Sequence, residues 1–202
     1  MDSKQTAFIA IMSAMGIALS LFSLNVGLIS VAVAGQGAAA LDLSHIATFV
    51  AAIFGGPYIG GTVGFLSGIY AGYYFGYVAG GLGLLSLIGV PIGKAMTGLL
   101  AGFLYKKLAI GGNSRRSVWA IPITLVSYVP ESLYTAIYFL YIVTLVGTPA
   151  MSFMLPLVIP KAWVEIGVMS LIISVLAGNM GFRQFTTRLF PLRVRTAQES
   201  VK

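Results

Sequence analysis

The chain has 202 residues, of which 58% are hydrophobic and 8% charged, whereas a water-soluble domain carries about 25% charged residues. So little polar surface cannot cover so apolar a core, which excludes a soluble globular domain and makes lipid the solvent. The absence of cysteine excludes disulfides, thiolate metal sites and cysteine nucleophiles.

The net charge of +7 raises the question of nucleic acid, and the placement of the charges answers it. Ten of the twelve Lys and Arg lie in three polar patches: Lys4; Lys106, Lys107, Arg115 and Arg116; and Arg183, Arg188, Arg193, Arg195 and Lys202. Basic residues held in short segments between apolar runs are the positive-inside signal, and anionic lipid headgroups are a sufficient partner for them. A nucleic-acid binder keeps its basic patch on a folded soluble face. No nucleic-acid partner is expected.

Taken in chain order, the first expected helix runs from 6 to 24, within a stretch from Gln5 to Leu41 that carries no charge. A signal peptide cleaved after Ala32-Val33-Ala34 is not favoured, because the single Lys4 is offset by Asp2 and the apolar run is too long. Ala10, Ala14 and Ala18 recur every fourth residue and make a smooth ridge. Small residues so spaced let another helix approach closely in lipid. Packing inside the chain's own bundle is the plainer use of the ridge, and docking of a partner membrane subunit is the other.

A small-residue segment from Asn25 to Ala40 follows, including Gln36. The second helix, 43–54, is short for a crossing, which needs about 20 residues, and Gly55-Gly56-Pro57 ends it. Asp42 or Ser44 is placed to cap it, beside His45. The third helix, 58–79, carries Gly60, Gly64, Gly68, Gly72, Gly76 and Gly80, and the fourth, 82–105, carries Gly89, Gly93, Gly98 and Gly102. These series predict close packing between the two. Tyr70, Tyr73, Tyr74 and Tyr77 cluster towards the outer end of the third helix. They make either an aromatic belt or a stacking wall for a flat ligand.

The fifth helix, 118–146, contains Pro122 and Pro130, and the sixth runs over 154–176. If the basic patches share one side, the chain crosses an even number of times between them. Four crossings and then two satisfy this, and both termini are then cytoplasmic. The expected fold is therefore all-α: a six-helix integral membrane bundle forming one transmembrane domain, with a capping loop after helix 1.

Six ionisable residues fall inside the apolar part: Asp42, His45, Lys94, Glu131, Lys161 and Glu165. Each is costly in hydrocarbon, so each is expected to face the bundle interior or a wet cavity. Lys94 and Glu131, opposite in charge and both near mid-depth, are the expected structural pair. Lys161 and Glu165, at i and i+4, share a face towards the outer half, and a ligand-facing role is expected for them. No catalytic residues are identified. The single histidine gives no metal-binding set, and neither a nucleophile elbow nor a phosphate loop is present. An enzyme is not expected, and no metal or cofactor is assigned.

These residues together resemble the substrate-binding (S) component of energy-coupling factor (ECF) transporters. The resemblance rests on the alanine ridge, on Leu41-Asp42-Leu43-Ser44, and on Phe54-Gly55-Gly56-Pro57-Tyr58-Ile59-Gly60 followed by Gly64. It extends through Gly98-Leu99-Leu100-Ala101-Gly102 before Lys106-Lys107 and through Lys161 with Glu165, and so covers nearly the whole chain. It implies a multi-pass protein of the cell (cytoplasmic) membrane that binds a water-soluble vitamin or related micronutrient near the outer face. The loop after helix 1 would close over the pocket. The resemblance makes Ala10, Ala14 and Ala18 the face for a transmembrane T component, with two cytoplasmic ATPases hydrolysing ATP. Its ligand-site candidates are Gln36, Asp42, Lys161 and Glu165, to which the residue reading adds His45, Tyr70, Tyr73, Tyr77 and Glu131. No motif ties the chain to one vitamin, and Trp119 and Trp163 are the available tryptophans. The competing class is a membrane scaffold or complex-assembly subunit, which would use the glycine and alanine faces without a ligand.

Overall fold

A computed structural model describes residues 3–26, 30–33, 37–78, 82–108, 110, 114–146 and 155–189. The described structure is helical apart from one small hairpin. Helix α1 spans Ser3–Val26. Strands β1 (Ser30–Val33) and β2 (Gly37–Ala40) then pair antiparallel, with Ser30 opposite Ala40 and Val33 opposite Gly37. The capping loop expected after helix 1 falls on this segment, where no strand was foreseen. Backbone groups near lipid need internal partners, and pairing the segment with itself supplies them.

Helix α2 (His45–Gly55) and helix α3 (Pro57–Tyr73) meet at Gly56, whose φ of 80° only glycine adopts freely, with Pro57 opening the new helix. Helix α3 continues as a π-helical stretch, Tyr74–Val78. Helix α4 is Leu84–Lys107. A 3-10 stretch (Ser114–Trp119) leads into α5 (Ala120–Ile137), which runs on through a π-helical stretch (Tyr138–Val143) and a last turn (Thr144–Val146). Helix α6 is Leu155–Gly178.

A seventh helix, α7 (Met180–Leu189), was not foreseen, because its arginines read as a polar tail. The signal was Asn179: its Oδ1 accepts the Phe182 amide at 2.9 Å, the bond that starts a helix. Phe182 packs edge-on against Phe54 at the end of α2, with ring centroids 5.9 Å apart.

Among the described residues, four helices are long and apolar enough to cross a membrane: α1, α4, α5 with the stretch before and after it, and α6. Helix α2 is different. Its 11 residues rise about 16 Å, half of a hydrocarbon core of about 30 Å. Nearly every residue from His45 to Phe54 is buried, so neighbouring helices surround this short element.

The broadest interface joins α3 to α4. A Cβ at Gly60 would lie 2.7 Å from the Gly98 carbonyl oxygen, one at Gly68 would lie 2.8 Å from Pro91 Cα, and one at Gly72 would lie 2.8 Å from the Ser86 carbonyl oxygen. The glycine series is therefore a seam of backbone on backbone. In lipid, where apolar burial gives helices no reason to associate, such contact replaces that drive. Gly16 allows a close approach between α1 and α3, here against a side chain: a Cβ would stand 2.5 Å from Ser67 Cβ.

Candidate functional site

Three helices bring an ionisable side chain to the bundle interior beside a proline: Pro91 before Lys94 in α4, Pro130 before Glu131 in α5, and Pro160 before Lys161 in α6. A proline within a helix withdraws the N–H that would bond the carbonyl four residues back. Polar character is thus concentrated at one level in each helix. Lys94 stands ten residues into α4 and Glu165 ten into α6, about 15 Å from the helix starts. Pro91 and Pro160, together with the Pro130 noted in the fifth helix, are the sequence signal for this level.

Helix α2 begins at the same level. Lys94 donates to Asp42 Oδ2 and to Ser44 Oγ. Asp42 Oδ1 accepts the Ser44 amide at 3.0 Å, and Oδ2 accepts the Ser44 hydroxyl at 3.1 Å. The Asp42 amide donates to Glu165 Oε1 at 2.6 Å, and the Leu43 amide donates to Ser23 Oγ at 3.2 Å. Glu165 is also paired with Lys161 at 3.0 Å across one helical turn. The amino-terminal end of α2 is thus met by carboxylates and a hydroxyl, as the partial positive charge of a helix start favours. Ser44 occupies the cap position, but its side chain makes no cap bond; it is held between Asp42 and Lys94 instead.

Beside this group, His45 Nε2 lies 3.2 Å from Glu131 Oε2, which also accepts the Thr97 hydroxyl at 2.5 Å. Aromatic rings flank it: the His45 ring stands near Phe49 and near the edge of Tyr128, and Tyr128 stands edge-on to Trp163. The Trp163 indole N–H donates to Ser132 Oγ at 3.1 Å. Lys161 Nζ sits 4.8 Å from the centroid of the Phe75 ring.

All six ionisable residues are buried, none more than 8% exposed. Among the described residues, the buried ionisable side chains of α2, α4, α5 and α6 and of the turn before α2 therefore gather in one polar layer.

The layer corrects two expectations. Lys94 does not pair with Glu131: its carboxylate is Asp42, and Glu131 is held by His45 and Thr97. Asp42 and His45 are also not at an outer mouth. They sit level with mid-helix Lys94, because α2 starts inside the bundle. Lys161 and Glu165 do pair, as their spacing predicts.

The tyrosine ladder lies elsewhere. Tyr73 and Tyr77 are 48% and 53% exposed, their rings 5.8 Å apart on an outward face of α3. Tyr70 accepts a hydrogen bond from the Asn25 amide of α1. The aromatic that α3 presents to the layer is Phe75, in the π-helical stretch where the helical phase shifts. Gln36 lies outside the described residues. Sequence reasoning missed Thr97, Phe75 and Tyr128 as members of this neighbourhood, and named Ser44 as a cap and Trp163 as an available tryptophan without placing them here.

On the opposite side of α1, Ala10, Ala14 and Ala18 are all exposed, together with Ala7, Ile11, Met15, Leu21 and Phe22. The plainer expectation, that the ridge packs inside the chain's own bundle, is not met; among the described residues the ridge is a free helix face. Among the described residues no three His, Asp or Glu side chains are arranged to hold a metal ion. No protein-family model, curated protein or solved structure matches the chain.

Proposed function

We propose that the chain is the substrate-capture (S) component of an energy-coupling factor importer, taking a water-soluble micronutrient from outside and delivering it across the cell membrane. The observation that carries this reading is the convergence of six buried ionisable side chains on one layer. Charged groups inside a membrane bundle are expensive, and where they gather they mark a solute path or site.

The arrangement of the ends supports it. The end of α6 meets the 3-10 stretch through the Ser174 hydroxyl, which donates to the Ser117 carbonyl at 3.1 Å. Gly102, near Lys106 and Lys107, lies against Pro57. The basic segments thus gather at one end of the bundle, which the positive-inside rule makes cytoplasmic. The hairpin leaves β2 two residues before Asp42 at the opposite end, where a cap over the site belongs. Helices α2 and α3 then complete six passes, the first of them short, with both termini inside.

Thermal unfolding in lipid nanodiscs tests the reading. A deproteinised small-molecule extract of cells that carry the gene should raise the midpoint by about 5 °C, as ligand well above its Kd does. Lys161→Ala and Glu165→Ala should each abolish that shift. An unmoved midpoint with every extract sinks the reading. It would favour a scaffold instead, for which the specific observation is that both lysines already have carboxylate partners.

The exposed alanine ridge supports the remaining part of the proposal, a transmembrane T component docked on α1 and two ATPases energising uptake. Ala14→Leu adds bulk to a face left open by the other described residues. It should leave folding and ligand-induced stabilisation unchanged and reduce ATP-driven uptake at least tenfold, on the order of what one misfit at a tight helix–helix contact costs. Uptake at the wild-type rate would remove α1 as the coupling face.

A further inference from the structure

We infer that the polar layer takes a small organic cation bearing N–H donors, such as a protonated amine, an amidinium or a protonated nitrogen heterocycle. The inference rests on reading the layer as a ligand site and adds the class of ligand.

The argument begins with the charges. Between Lys4 and Lys106, and between Arg116 and Arg183, the only Asp, Glu, Lys, Arg and His residues are the six of the layer. The undescribed segments between helices α1 and α4, and between α5 and α6, contain none. No other part of the membrane bundle brings a formal charge to this depth. Three carboxylates there meet two ammonium groups, and the third carboxylate, Glu131, has His45 as its partner.

His45 decides the sign. A histidinium has two N–H donors and needs two acceptors. Nε2 has Glu131, whereas Nδ1 is buried with no hydrogen-bond partner among the described residues. The geometry therefore fits a neutral imidazole that donates from Nε2 and keeps a bare lone pair on Nδ1. Glu131 then receives hydrogen bonds but no counter-charge. The start of α2 offers about half a positive charge, and its amides are spent on Glu165, Ser23 and Asp42 rather than on Glu131. Among the described residues the layer lacks one positive charge and one N–H donor.

An organic cation supplies both. It sets an N–H on His45 Nδ1, and its charge balances Glu131 across the imidazole, near the rings of Phe49, Tyr128 and Trp163, whose faces suit a desolvated cation. A metal ion fits less well, since no three carboxylate or imidazole groups converge on a point among the described residues.

Ion exchange and one isosteric variant test this. The extract is split near neutral pH into fractions held by a cation exchanger, held by an anion exchanger, and unretained, and each is titrated against the protein in nanodiscs. The cation-exchanger fraction is expected to raise the unfolding midpoint. In Glu131→Gln, which keeps the acceptor for His45 and Thr97, about 30-fold or more of that fraction should be needed. The midpoint of the unliganded variant should not fall, because an uncompensated charge has been removed; a purely structural Glu131 would lower it. Stabilisation by the anionic or unretained fraction overturns the cationic class and leaves capture standing. Stabilisation by no fraction overturns both. An unchanged titration in Glu131→Gln removes Glu131 as the counter-charge.

Discussion

Lys94→Met is expected to destabilise the protein by about 3–5 kcal/mol, the cost of leaving one member of a buried ion pair without its partner. Lys94 is 2% exposed and Asp42 is 3% exposed, so water cannot replace the ammonium. The loss reaches further than one contact. Asp42 also holds the first turn of α2 through the Ser44 amide and hydroxyl, and Ser44 itself accepts from Lys94. Unfolding of the variant in nanodiscs measures the loss. The double variant Lys94→Met with Asp42→Asn is the decisive comparison, because it removes both charges and keeps an acceptor for the Ser44 amide. It should recover most of the lost stability, since a neutral pair avoids the penalty that a lone charge incurs. Strictly additive losses would show that the two residues act independently.

The second large effect is Gly98→Ala. A methyl at this position runs into the carbonyl of Gly60 on α3. The obstacle is backbone, with no flexible side chain to yield, so α3 and α4 must separate along their broadest interface. Overpacking of this kind costs about 3 kcal/mol, the upper part of its usual range. Because Thr97 is the preceding residue and Lys94 lies one turn back, the same displacement disturbs the polar layer and should weaken ligand-induced stabilisation. Gly167→Ala is the control: nothing lies within 4 Å of its added methyl, and a helix interior gains up to about 1 kcal/mol from the exchange. If Gly98→Ala behaves like Gly167→Ala, the glycine seam is not what holds α3 to α4.

Much of this protein is legible in its amino-acid sequence. The apolar runs mark the long helices, and the four-residue glycine spacing points to a tight seam between α3 and α4. The six ionisable residues stand out against their surroundings. Their partners do not. Lys94 and Glu131 are opposite in charge and at similar depth, and match on those grounds alone. What the sequence does not carry is that the chain after α1 folds into a hairpin and that α2 then begins inside the bundle, which brings Asp42 within reach of Lys94. The tyrosines mislead for a related reason. Tyr70, Tyr73 and Tyr77 do share a face, but whether that face looks inward depends on the rotation of α3, and the glycine seam turns it out. Phe75 is the aromatic of this stretch that reaches the layer. The alanine ridge is ambiguous in the same way, and only the packing of α1 on α3 leaves it open.

The sequence by itself determined the solvent and the charge count. Transfer of each residue to lipid is a local cost that adds along the chain, so composition suffices to name the environment, and counting sets three interior carboxylates against two lysines and one histidine. Depth, rotation and pairing belong to the tertiary structure. They depend on where helices start and which faces meet, and ions a few ångströms apart in space can be more than a hundred residues apart in the chain.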